Sequence, residues 1–224
     1  MNLSKLLLIA ISVFLFLSGC FTPAKMDGWI EEHEGGFSKK LKTSDYIIIK
    51  TPDLPQKDQA SVSEKGKGKF IPALFYWKSE HTIVSSLNPY IPIGLMNSTI
   101  IQYANTKGLK QKLNGQKIEL TINKFPLVFT FTDRYQLFFF VVFYVQSEHL
   151  FIGPQKENIT ISYKILKDNA ETKNGTITIA DPDKVVNQKL FQSVKKMTWN
   201  YLDEYDNNMR AVSKEIVDKL LLEL

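Results

Sequence analysis

Cys20 is the only cysteine in a chain of 224 residues, so no intramolecular disulfide can form and the folded state must rest on an apolar core. The cysteine closes a short leader. Lys5 supplies a positive start, Leu6 to Leu17 an apolar stretch, and Ser18 and Gly19 the small residues that a signal peptidase accepts. A membrane-spanning helix needs about 20 apolar residues to cross roughly 30 Å of hydrocarbon, and this stretch is shorter. The segment therefore reads as an export signal, residues 1–19, rather than a permanent span. The chain from Cys20 onward is long enough to bury roughly 70% of its unfolded surface in one domain.

The Leu17-Ser18-Gly19-Cys20 ending resembles the lipobox of bacterial lipoproteins. That resemblance implies cleavage between Gly19 and Cys20, a diacylglyceryl group on the Cys20 thiol and an N-acyl chain on the new terminus. Several chains hold a protein stably at a membrane where a single one does not. An acylated Cys20 leaves no thiol for metal binding or nucleophilic attack. Phe21, which is not aspartate, resembles the second-position pattern of lipoproteins sorted to the outer membrane. The expected place is the bacterial cell envelope, on the periplasmic face of the outer membrane in preference to the inner membrane.

The formal charge of +5 includes Lys5 of the leader, and arginine occurs only at Arg134 and Arg210. Nucleic-acid binders concentrate Lys and Arg on one face, so so small and scattered an excess predicts no nucleic-acid partner. Short lysine groups at Lys39, Lys40 and Lys42 and at Lys65, Lys67 and Lys69 read as solvated loops.

From Phe21 to Ser44 no periodicity is sustained, and Glu31, Glu32, His33, Glu34, Gly35 and Gly36 give the look of a tether. A flexible segment of that length would reach roughly 25–30 Å, so residues 20–44 are expected to be a lipidated N-terminus and linker. Neighbouring residues of a linker do not converge on an ion, and His33, His81 and His149 are far apart in sequence. No metal or other cofactor is expected beyond the covalent lipid.

The single domain is expected over residues 45–224. Asp45 to Lys50 has strand length and stops at Pro52, and Pro52 to Lys69 reads as an exposed loop. Its Gly66-Lys67-Gly68-Lys69 lacks the spacing of a phosphate loop. Phe70 to Trp77 reads as an edge or bulged strand because Pro72 cannot donate to a ladder. Ile93, Met96, Ile100, Tyr103 and Ala104 recur at helical spacing, with Asn114-Gly115 suited to the helix end. Ile118, Leu120 and Ile122 alternate as in a half-buried strand. Leu127 to Thr132 and Gln136 to Gln146 follow. The nine apolar residues from Leu137 to Val145 predict a central strand buried on both faces. Ile159 to Ile165 and Ile177 to Ile179 predict a hairpin through Asn174-Gly175. Asp181-Pro182-Asp183 combines an N-cap, a proline at N1 and an acid in the first turn, so a helix is expected from there to the C-terminus, either one or a pair divided at Asp206-Asn207-Asn208.

The fold class that follows is α+β: an antiparallel or mixed sheet of about five or six strands, packed by one central helix and a long C-terminal helix or helix pair. This order of elements, with Ile93-Gly94, the helix, and Gly115 followed by Lys117 to Phe125, resembles the α+β lipoproteins that assist envelope transport. These are the ABC-transport auxiliary lipoproteins, the YajG-like lipoproteins and the lipoprotein plug of the lipopolysaccharide export pore. The resemblance implies a non-enzymatic adaptor that docks on an envelope protein, and it carries no binding residue across.

Two other readings come from the residues. Phe129, Phe131, Phe138, Phe140 and Trp77 could line a cavity for an apolar ligand. Glu119, Asp133 and Glu148 could meet as general acid and base, although no Gly-x-Ser-x-Gly, His-Glu-x-x-His or dinucleotide glycine pattern is present, and no catalytic residue is assigned.

Overall fold

The computed structural model describes residues 21–36, 41–51, 61–66, 69–71, 75–140 and 143–224. Cys20 and the leader lie outside the described residues. Two sheets and a set of helices form an α+β fold. The first sheet has the order β1-β5-β8-β9, from β1 (Ile47–Lys50), β5 (Lys117–Lys124), β8 (Ile159–Lys167) and β9 (Ala170–Ile179). The second runs β10-β7-β6-β4-β2, from β10 (Val186–Asn187), β7 (Phe143–Pro154), β6 (Val128–Phe140), β4 (Tyr76–Ser86) and β2 (Val62–Lys65), with β3 (Lys69–Ile71) also on β4. The expected strands are thus shared between two sheets.

Alternation explains the first sheet. Ile118, Leu120 and Ile122 pair with Ile165, Tyr163 and Ile161, and all six are buried on one face. Glu119 and Lys164 point the other way, and Glu119 accepts an ion pair from Lys50 at 2.7 Å. The β8–β9 turn sits at Asp168 and Asn169, both with positive φ, as a tight antiparallel hairpin with right-handed twist demands. It does not sit at Asn174-Gly175. Gly175 lies inside β9 opposite Tyr163, and a Cβ there would come within 2.6 Å of the Tyr163 hydroxyl. The glycine makes room for a cross-strand ring instead of turning the chain.

Helix α2 (Tyr90–Thr106) buries Ile93, Met96, Ile100 and Ala104, as their spacing predicts. It is followed by α3 (Leu109–Leu113), entered through Gly108 and left through Asn114 and Gly115, all in the left-handed region. The C-terminal helix α4 (Val194–Glu223) is one continuous helix of 30 residues, about 45 Å long. Ser193 caps it, accepting from Lys196 N. The expected start at Asp181 is corrected. The Asp181 carboxylate accepts from Asp183 N at 2.8 Å, closing a local turn, and the chain then adds β10 to β7 before the helix begins.

The expected tether is corrected as well. Residues Pro23–Glu34 form helix α1, capped by Thr22, with Met26 and Ile30 fully buried. Trp199 Nε1 donates to the Trp29 carbonyl at 3.1 Å, and Lys195 pairs with Glu32 at 2.7 Å, fastening α1 to α4. Phe21, one residue beyond Cys20, stacks on Trp29 and packs against Phe131 with ring centroids 4.5 Å apart. Glu31 and Glu32, which made this segment look solvated, lie on its exposed face, while Glu34 is half-buried and turned inward. A Met26→Ala substitution is expected to lower unfolding free energy by about 2–5 kcal/mol in urea titrations, as for a buried core side chain. A change within about 0.5 kcal/mol would be the result for a linker residue.

A protruding aromatic ribbon as the candidate functional site

Strands β4, β6 and β7 keep an unbroken antiparallel register from Ser86, Val128 and Pro154 out to Tyr76, Phe140 and Phe143. Directly opposite residues share a face, so successive rows alternate between the two faces. The inner rows belong to the core. Ile83, Phe131 and Ile152 form one row, and Ser85, Phe129 and Pro154 form the next row on the same face, two residues further along each strand. Phe129 lies against Tyr201 of α4 at 5.1 Å, and Phe131 is covered by Phe21.

Beyond Phe131 the helical layer stops while the strands continue. A polar band follows, with Glu80, Arg134 and His149 in one row and His81, Asp133 and Leu150 in the next. Arg134 Nε donates to Glu80 at 2.9 Å, its guanidinium lies over Phe151, and His81 pairs with the Ser63 hydroxyl. Past the band, aromatic and aliphatic residues return on both faces. Trp77 and Leu137 share one row, Tyr76, Phe138 and Val145 another, and Phe139 faces Tyr144. From Phe131 to Phe139 the ribbon extends roughly 27 Å.

This end is exposed. Phe70, Phe75, Trp77, Phe138, Phe139, Phe143, Tyr144 and Val145 all present large apolar surface, with Phe143 at 54% and Tyr144 at 64% exposure. Cross-strand ring contacts hold its shape, at 4.5 Å for Tyr76 and Phe138 and 6.0 Å for Phe75 and Phe139, with Phe139 N donating to Phe75 O. The part of the Leu137 to Val145 run in β6 is central in its sheet, but the expectation that the run is buried on both faces is corrected. Phe138 to Phe140 and Phe143 to Val145 pair antiparallel past the end of the core, where no helix among the described residues covers either face. The run's composition is that of a buried strand, and monomeric proteins rarely leave such a patch open. Sequence reasoning picked out the segment by hydropathy but could not tell burial within the fold from burial against something else.

The other singled-out residues are dispersed. Glu119 lies in the first sheet, whereas Asp133 and Glu148 lie in the second. Asp133 is half-buried, one carboxylate oxygen lacks a partner, and burial raises its pKa while nearby His81 opposes the shift. Phe138 and Trp77 are on the ribbon, and the Phe140 side chain lies outside the described residues. His33 bonds Asp203 at 3.0 Å, and Glu34 accepts from Asn88 N at 2.9 Å. Among the described residues no group of three or more His, Cys, Asp or Glu side chains could hold a metal ion, and no helix is long and apolar enough to cross a membrane. A groove of about 320 Å³ between α2 and α4 is polar, lined by Thr99, Gln102, Tyr103, Thr106, Arg210 and Lys214.

Two further acids have strongly perturbed titration. Asp206 is pushed up to about 6, chiefly by burial beneath α1, against the pull of His33 and Arg210. Asp183 is also raised to about 6 by burial, although Asn208 donates to it. Both serve the packing of α4 rather than the ribbon.

The fold and its most exposed feature define a two-sheet α+β protein with a protruding aromatic ribbon. No family model, no curated protein and no solved structure matches the chain.

The pH dependence of stability has a definite sign. An acid with a folded pKa near 6 and an unfolded one near 3.8 binds more protons folded than unfolded between these values, so stability rises as pH falls from about 7 toward 4. Asp206→Asn is expected to stabilise the protein at pH 7.5 by about 1–2 kcal/mol and to reduce the rise of the denaturation midpoint between pH 7.5 and 5, the remainder belonging to Asp183, read by chemical unfolding across that range.

Proposed function

We propose that this protein is a membrane-anchored envelope lipoprotein, acylated on Cys20 after cleavage behind Gly19, that acts as a non-enzymatic adaptor or accessory factor for an envelope protein. The ribbon is its docking end. The observation that carries the docking role is the uncovered aromatic end of β4, β6 and β7, whose exposure costs hydration free energy in the free protein and is relieved when a partner buries it. The anchor rests on the Leu17-Ser18-Gly19-Cys20 sequence. Because Phe21 packs on the domain and α1 begins at Pro23, little chain separates the anchor from the folded body. A partner met in this way is one whose docking surface lies close to the membrane.

Carriage of an apolar ligand needs rings that line a void, whereas Phe129 and Phe131 are packed against Tyr201 and Phe21.

Two measurements test the reading separately. Mass spectrometry of the mature N-terminus is expected to find a triacylated Cys20, and Cys20→Ser is expected to move the protein from the membrane pellet to the soluble fraction. An unmodified thiol would remove the anchor. A photo-reactive residue at Phe139 is expected to yield one discrete heterologous adduct in the envelope, lost when Phe143 and Tyr144 are both changed to Ser. Such surface changes are expected to alter stability by no more than about 0.5 kcal/mol. Absence of any discrete adduct would remove the docking role.

A further inference from the structure

The ribbon has an edge as well as faces. Strand β10 covers β7 only at Phe151 and Ile152, and its ladder ends when Gln188 N donates to the Leu150 carbonyl at 2.9 Å. The chain then leaves through a turn at Lys189 to Gln192, closed by the Gln192 carbonyl and side chain. Since the Leu150 carbonyl points outward and the β6–β7 register has no bulge, the N–H and C=O groups of Glu148, Gln146 and Tyr144 point outward too. Among the described residues no strand pairs with them. The turn where β10 departs presents Leu190 and Phe191 to solvent, Phe191 at 98% exposure and with φ of 61°. A phenylalanine in the left-handed region is strained, and here it recovers nothing from burial.

Exposed edges are ordinarily blunted by lysine, proline or a covering element. The edge of β9 follows that rule, with Lys219 donating to the Thr178 carbonyl and Lys173 to the helix end at Glu223. The segment Phe143 to Leu150 carries neither lysine nor proline.

We propose that the open edge of β7 from Tyr144 to Glu148 is a strand-addition site, which takes one extended segment of the partner protein and prolongs the β10 ladder toward the aromatic end. This rests on the adaptor reading and names what its partner must present. The guest strand runs antiparallel to β7, places apolar side chains beside Tyr144 and Val145, and sets a lysine or arginine opposite Glu148, which makes no ion pair among the described residues. Main-chain hydrogen bonds supply affinity and alternate side chains supply selectivity. Insertion of this edge into lipid is disfavoured, because its outward N–H and C=O groups would go unpaired in hydrocarbon, where no water replaces the missing partners. Antiparallel pairing with a second copy centred on Gln146 would set Glu148 against Tyr144 and leave the carboxylate without a cation.

The test uses the full chain in lipid nanodiscs and a panel of nine-residue peptides that alternate valine and threonine and differ in the position of one lysine. At least one peptide is expected to slow amide hydrogen exchange at Tyr144, Gln146 and Glu148 tenfold or more. The same peptide N-methylated on the backbone nitrogens of its bonding edge is expected to have no effect. Gln146→Pro removes an outward N–H that no ladder bond uses, at the cost of a fixed φ that an edge strand tolerates, and is expected to abolish peptide protection and the envelope adduct while the chain still melts in one cooperative transition. Gln146→Ala, which keeps the N–H, is expected to preserve both. The proposal is overturned if no peptide protects these amides, if N-methylation is without effect, if protection appears with chain concentration alone, or if Gln146→Pro keeps the adduct. The last result, with the Phe139 adduct intact, would spare the adaptor reading and eliminate strand addition.

Discussion

Helix α4 is the contact on which the rest of the architecture depends. Its first half places Tyr201 on Phe129 of the second sheet and, through the Tyr205 hydroxyl, binds the Pro126 carbonyl at 2.7 Å where β5 leads into β6. Its second half buries Val212, Ile216, Val217 and Leu220 in the same core as the isoleucine face of the first sheet. Among the described residues no strand of one sheet pairs with the other, and a helix long enough to reach both joins them in one core. Helices α1 and α2 complete the layer and are fixed through the same element, α1 by Trp29 and Trp199 and α2 by Tyr103 and Asp218.

The extent of that helical layer also determines where the ribbon begins. Strands β4, β6 and β7 continue past Phe131 because their hydrogen bonds to one another need no helix. Beyond the layer their side chains lose the surface that would have buried them. The Glu80, Arg134 and His81 band marks the change from core to projection, as these groups retain solvent and hydrogen-bond partners there. The aromatic end stays ordered by cross-strand ring contacts but is not desolvated. An apolar surface held rigid and left wet loses little conformational entropy on binding, which is the general advantage of preorganised docking surfaces.

Phe21 ties the start of the described chain to the second sheet. With Phe21 stacked on Trp29 and Phe131, the proposed lipid attachment adjoins the root of the ribbon instead of the end of a long leash.

Local periodicity was enough to read much of this chain. The alternation of Ile118, Leu120 and Ile122, the helical spacing of Ile93 to Ala104, the break at Asn114-Gly115, and the helical state of the C-terminal segment all follow from interactions within a few residues. The misreadings share a different origin. Phe21 to Ser44 has one sparse buried stripe, Met26 and Ile30, whose value as a helix face is set by α4 nearly 170 residues away. Asp181-Pro182-Asp183 carries a helix-start signal that the pairing of β10 with β7 overrides. Asn174-Gly175 resembles a turn but fits a strand once Tyr163 lies across it. The apolar character of Leu137 to Val145 was written in the chain itself, as was the α+β class. That this segment projects beyond the core, with a bare edge and two wet faces, was decided only by the tertiary structure, because hydrophobicity demands a covering surface without specifying which molecule provides it.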